Sequence, residues 1–290
     1  MDDADSNLTS SAPAATKADG FNSLRAFTRH WRQSVRYFGV ARSMREFSSA
    51  LWRAMLELLP SHRRARFGDL DFDWERSVNT TRSNVGFMTQ LKAGLLGGAY
   101  YASDPWIFEQ IMQALAVSTQ QSAVSKESSS DGRESFDYDS LKNFTFIDLG
   151  AGKGRALLMA SDYPFARIMG VEFMPELCRA AEENIVSYSA SSNDRQQCRE
   201  MAMVCTDACD FTFPTEPLVV YLFNPFSEPV FVKVLENLRR SVEQSPREIY
   251  VAYRYTEHEK LLAEATWLEK IASTAQWAVY KVIHHADAHR

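Results

Sequence analysis

The chain has 290 residues, of which 45% are hydrophobic and 24% charged, ample for one sizeable core with extensions. Its net charge of −5 gives no global basic field, so nucleic acid is not an expected partner. No apolar run approaches the roughly 18 residues of a spanning helix. The opening MDDADSNLTSSAPAATKADG lacks the basic and apolar regions of a secretory signal, so a cytoplasmic protein is expected.

Residues 1–20 read as a polar, disordered tail. Residues 21–66 form an Arg-rich arm with ten Arg, no Lys and two acids, Glu46 and Glu57. Leu24, Phe27, Trp31, Val35 and Phe38 recur at steps of three and four, the mark of one helix face. A second helix is expected from about Ser43 to Leu59, ending before Pro60. One reading of the arm is two helices packed on the main domain with Arg outward. The other is a basic amphipathic contact for a membrane surface or an acidic partner.

Residues 67–117 carry the acidic, aromatic GDLDFDWE and then GLLGGAYYASDPWIF. Ser103 or Asp104 can cap a helix with Pro105 in its first turn. That helix would present Trp106, Phe108, Ile111, Met112 and Leu115. Tyr100 and Tyr101 just before it are candidates for a lid. Residues 118–140 read as a polar loop.

Over residues 141–290 the pattern changes. FTFIDL, ARIMGVEF, MAMVCT, LVVYLF and REIYVAYRY read as strands separated by helices over about 153–161, 175–189 and 229–242. A short helix near 257–265 is followed by TWLEKIAS and AQWAVYKVI, two strands close enough to form a hairpin. Strands alternating with helices imply an α/β fold. The expectation is a doubly wound, mostly parallel, seven-stranded Rossmann-like sheet with a terminal antiparallel hairpin, plus the N-terminal helices.

The chemistry centres on FIDLGAGKGR, residues 146–155. Asp148 ends a strand, Gly150, Gly152 and Gly154 follow at alternate positions, and a helix begins. Glycines allow positive φ and a close approach of backbone to ligand. A dinucleotide site prefers G-x-G-x-x-G, but the third glycine of that pattern would fall on Arg155. An acid before the loop suits a ligand with a cationic amine better than a pyrophosphate. Glu172 closes the second strand and Asp207 follows the third. The four cysteines, Cys178, Cys198, Cys205 and Cys209, form no C-x-x-C pair and read as small core residues; no metal site is expected. His30, His62, His258, His284, His285 and His289 show no ligand spacing.

The run D-L-G-A-G-K-G after a first strand resembles motif I of class I S-adenosylmethionine-dependent methyltransferases, and the resemblance spans residues 144–283. It implies S-adenosyl-L-methionine as cofactor. Asp148, Gly150, Gly152 and Gly154 would surround its methionine moiety. Glu172 would hold both ribose hydroxyls, a task that suits a carboxylate. Asp207 would meet the adenine amino group, with Phe173 and Ala208 flanking the ring. Asn224, Pro225 and Phe226, after the fourth strand, stand where amino-directed relatives carry Asn/Asp-Pro-Pro-aromatic. Their role would be to accept N–H bonds from an amine and to cover it with an aromatic ring. This sequence has one Pro rather than two, which leaves the nucleophile open.

Upstream, GAYYASDPWIFEQIM resembles the approach segment of non-SET protein-lysine methyltransferases through Tyr101 and Ser103, with Ala102 where those carry Pro, and the resemblance implies that Tyr101 and Ser103 lie beside the cofactor. The YLFNPF strand end also resembles uncharacterised bacterial methyltransferases. Four readings follow: methylation of an amine such as a protein lysine; methylation of a small molecule by the same fold; a non-catalytic cofactor-binding module docked through the basic arm; and, most distant, a Rossmann oxidoreductase. Tyr253 and Arg254 close the fifth strand at the same end of the sheet.

Overall fold

In the computed structural model, the residues described are 28–29, 31–32, 34–36, 38–56, 70–81, 102–122, 136–191, 194–254 and 258–283. The tail, Tyr100, Tyr101 and the three C-terminal histidines lie outside them.

In the arm, the described residues between 28 and 38 are helical, and Gly39 at φ +79° breaks the path before α1 (Val40–Leu56). Glycine is suited to this break because it adopts left-handed backbone without a Cβ penalty. The arginines are not all directed outward. Arg29 pairs with Asp210 and lies 3.6 Å from Asp207, while Arg42 stacks on Phe38 at 3.9 Å. A short helix α2 (Leu70–Arg76) follows, which the acidic composition of that segment does not announce.

Helix α3 (Pro105–Ser122) begins where Asp104 Oδ1 accepts the Ile107 N–H at 3.1 Å. It runs on past residue 117, into the stretch that reads as loop, where Ser118 and Thr119 satisfy their hydroxyls on the Ala114 and Leu115 carbonyls instead of competing for other backbone groups.

The sheet strands are β1 (Thr145–Leu149), β2 (Arg167–Glu172), β3 (Met201–Cys205), β4 (Leu218–Phe223), β5 (Ile249–Arg254), β6 (Leu268–Ser273) and β7 (Trp277–Val282). Their order is β3-β2-β1-β4-β5-β7-β6. The first five are parallel, and β7 pairs antiparallel with both β5 and β6. This is the doubly wound α/β sheet with terminal hairpin expected from the alternation of elements.

The intervening helices are α4 (Arg155–Ala160), α5 (Pro175–Ala190), α6 (Glu228–Gln244) and α7 (Glu259–Ala263). Strands β1 and β5 are buried along their whole length, as parallel strands covered on both faces must be. One core, on the α3–α4–α5 side, gathers Phe108, Ile111, Leu115, Phe146, Leu157 and Tyr221. The other, on the α6 side, gathers Ile147, Val220, Val230, Val234, Leu238 and Tyr253.

The direction in which strands are added reverses between β1 and β4: from β1 the sheet grows outward through β2 and β3, and from β4 through β5. At such a switch the loops after the two central strands leave toward opposite faces and open a crevice at the carboxyl ends.

Candidate functional site

The crevice is floored by the loop after β1. Gly150, Gly152 and Gly154 have φ of +84°, +56° and +83°, so all three spend the freedom that glycine alone has at little cost. Two of them are also required by neighbours. A Cβ on Gly150 would collide with the Pro225 ring, and one on Gly154 would press on Ala181 of α5 at 3.2 Å. The glycine loop therefore touches the turn after β4 directly, across the topological switch.

Three carboxylates stand at the ends of β1, β2 and β3. Asp148 is buried, and burial, reinforced by the charge of Glu172, pushes its carboxyl up to about 8. Glu172 is buried as well. Its Oε2 accepts the Gly152 N–H and its Oε1 those of Phe173 and Met174, each at 3.0 Å. Desolvation still raises its pKa; these bonds oppose the shift and the charge of Glu176 adds to it. Glu172 thus clamps the glycine loop to the end of β2. Asp207 Oδ1 accepts the Cys209 N–H at 2.9 Å and caps the turn Ala208–Asp210, while Oδ2 faces Arg29 of the arm. Ala208 is buried beside it, and Phe173 is half-buried against Met174 and Leu177.

Asn224 leaves β4 with φ +40°, a left-handed conformation that Asn tolerates better than most residues. Its Oδ1 accepts the Tyr253 hydroxyl at 3.1 Å, and that hydroxyl in turn accepts the His258 N–H at 3.1 Å. Phe226 is buried in the α6-side core, and its carbonyl lies 3.1 Å from His258 Nε2. The structure brings Asn224 and Pro225 to the glycine loop, but it sends the Phe226 ring inward instead of displaying it over the crevice. Tyr253 and Arg254 share an end of the sheet yet face opposite sides, because successive strand residues alternate.

Ser103 is buried, and its hydroxyl lies 3.0 Å from that of Tyr221, the register partner of Asp148. Burial pushes the Tyr221 phenol up to about 12.

Sequence reading misses a buried polar knot behind the loop. Asp73 accepts the N–H groups of Thr80 and Thr81 at 2.8 Å each, together with the Thr80 hydroxyl. Arg155, 2% exposed, meets Asp73 at 3.2 Å and Thr80 Oγ1 at 2.6 Å, and stacks on Phe72 at 4.6 Å. Lys153 donates to Asn79 Oδ1 and the Thr81 carbonyl, and Asn184 of α5 donates to the carbonyls of Lys153 and Asn79. Burial lowers the Lys153 pKa to about 8, against the opposing pull of Asp73. Arg155 excludes a dinucleotide pattern by its identity, but its own task is to fasten residues 72–81 to the loop. The available signal was two long cations inside a glycine turn, which must find buried acceptors.

Among the cysteines, Cys205 is exposed at the end of the edge strand β3, contrary to a core role, and its sulfur lies 2.7 Å from that of Cys178. Among the described residues no group of three His, Cys, Asp or Glu could hold a metal ion. No described helix is long and apolar enough to cross a membrane.

No protein-family model matches the sequence, and no curated protein matches it. Similar folds occur among solved structures. A ribosomal protein L11 methylase from Lactobacillus delbrueckii subsp. bulgaricus is 15% identical, with 59% of this chain and 76% of that one covered and a TM-score of 0.37. A SAM-dependent methyltransferase from Aquifex aeolicus is 13% identical over 62% of this chain and 100% of its own, with a TM-score of 0.38. The 23S rRNA methyltransferase ErmE is 11% identical over 64% of this chain and 70% of its own, with a TM-score of 0.38.

Proposed function

We propose that the chain is an S-adenosylmethionine-dependent methyltransferase that transfers the methyl group to an amine nitrogen, with a protein lysine as the candidate acceptor. The observation that supports the cofactor reading is the position of Asp148, Glu172 and Asp207 at the ends of three adjacent strands around a positive-φ glycine loop; the acceptor reading rests on Asn224 and Pro225 after β4. The site fits a cationic ligand. Asp148 is a buried carboxyl held mostly protonated near neutrality, and a sulfonium or ammonium close by would draw it back to the ionised form.

When bound, S-adenosylmethionine would supply a methyl group on a good leaving group. The protein's part is position. Asp148 and the glycine loop would hold the amino-acid end, Glu172 the ribose diol through the remaining lone pairs of its carboxylate, and Asp207 Oδ2 the adenine amino group. Asn224, fixed by Tyr253, would accept an N–H of the acceptor and aim its lone pair. Arg29 approaches Asp207 from the arm and would border the adenine end.

Calorimetry with S-adenosylmethionine and with NAD tests the ligand class: binding of the former alone supports the proposal, and its failure to bind removes it. Glu172→Ala should weaken that binding by about 1.5–3 kcal/mol, the size of a charge-assisted hydrogen bond. Asn224→Ala should spare binding and reduce turnover, and unchanged turnover would move the catalytic edge elsewhere. Transfer of tritiated methyl into a lysate fractionated into protein, nucleic acid and small molecules identifies the acceptor class.

A further inference from the structure

Three arginines are buried in the described structure: Arg155, Arg247 and Arg254. Two of them are well provided for. Arg155 has Asp73 and Thr80, and Arg247 donates to the Glu216 carbonyl before β4 and to those of Ser241 and Ser245 at the end of α6. Arg254 is the exception. It is 7% exposed, and its Nε and Nη1 are buried with no hydrogen-bond acceptor among the described residues. Phe223, its register partner on β4, covers the guanidinium from 4.1 Å, which fixes the plane of the group without satisfying its donors. The Tyr221 hydroxyl engages the guanidinium, yet two unsatisfied buried donors on a cation are costly and call for a further partner.

Its position names the partner. Asp148 on β1 pairs in register with Tyr221 on β4, and Tyr221 with Ala252 on β5. Arg254 lies two residues beyond Ala252 and therefore on the same sheet face as Asp148 and Tyr221. Two strand spacings of about 4.8 Å separate the β1 and β5 backbones. An acid and a base thus flank the Tyr221 hydroxyl at the carboxyl end of the sheet, and Ser103 holds that hydroxyl from above.

We propose that Arg254 is the carboxylate anchor of the site, forming with Asp148 a bracket of opposite charges that grips the amino-acid end of the bound cofactor, carboxylate to Arg254 and ammonium to Asp148. This deepens the S-adenosylmethionine reading above and rests on it. A ligand carboxylate would satisfy the guanidinium donors in a site with little water, where a charge-assisted bond is strong. An apolar side chain of similar length would keep the contact with Phe223 and remove the two unsatisfied buried donors.

The test is calorimetry on the full chain with two probes, S-adenosylmethionine and its decarboxylated form, which lacks only the carboxylate. The unaltered protein should bind the former at least about tenfold tighter, the factor that about 1.4 kcal/mol of charge-assisted hydrogen bonding confers. Arg254→Met should bind the two alike, and Arg254→Lys should keep part of the preference. The ligand-free Arg254→Met protein should melt at or above the temperature of the unaltered chain, which separates lost recognition from misfolding. If Arg254→Met retains the preference while the unaltered protein binds S-adenosylmethionine, the bracket is wrong and the cofactor reading stands. If the unaltered protein binds neither probe, the cofactor reading fails and the bracket with it.

Discussion

Asp148→Asn should raise thermal stability at neutral pH while weakening S-adenosylmethionine. The Asp148 carboxyl is pushed up to about 8 from a starting value of 3.8 by burial and then by Glu172. Between those two values the folded chain holds a proton that the unfolded chain has released. Folding stability from this group is therefore intact below pH 4, declines as pH rises toward 8, and is level above it. An amide has the same shape and no charge to desolvate, so the melting curves of variant and parent should converge near pH 4 and separate progressively up to pH 8. A cationic ligand reverses the argument. It favours the carboxylate, so binding to the parent should release a proton, visible as a dependence of the calorimetric enthalpy on the ionisation enthalpy of the buffer. The variant should bind with no such release and with affinity lower by roughly 10–150-fold, corresponding to about 1.5–3 kcal/mol. A variant that is no more stable than the parent at pH 8 would show that Asp148 is already ionised and partnered.

The second large effect is expected far from any ligand atom. Asp73→Ala removes the acceptor of two backbone N–H groups, the Thr80 hydroxyl and the Arg155 guanidinium. Breaking a buried pair by deleting one partner costs about 3–5 kcal/mol, because the remaining charge stays buried. For a chain of this size that corresponds to a fall in melting temperature of roughly 10 °C. Arg155 begins α4 directly after Gly154, so cofactor affinity should fall with stability. The double variant Asp73→Leu/Arg155→Met removes both charges and should recover much of the loss in melting temperature. A single variant within about 1 kcal/mol of the parent, inside the range of ordinary surface changes, would mean that the knot carries little.

The two experiments probe different links in the same chain of causes. Burial favours the neutral form of Asp148, and a cationic ligand would favour the carboxylate. Asp73 is fully engaged by the protein and serves only to keep residues 72–81 against the loop.

Much of this was legible in the sequence because it depends on local pattern. The strands announced themselves as short apolar runs, and the helices by their three-and-four spacing and by prolines at their starts. Asp148, Glu172 and Asp207 each follow or close a strand, and in a parallel sheet all strand ends point one way, so local reading placed them together. Alternate glycines signalled a left-handed loop, since few other residues adopt that backbone cheaply. What sequence left undecided lies in contacts between distant segments. That Gly150 must be small because Pro225 lies against it, that Lys153 and Arg155 serve residues 79–81 and 73, and that Phe226 turns inward all follow from packing across the switch between β1 and β4. The neighbours Tyr253 and Arg254 look equivalent in the chain. The pleat sends one to steady Asn224 and leaves the other buried beside Phe223 without acceptors for two of its donors, a difference that only the assembled sheet creates.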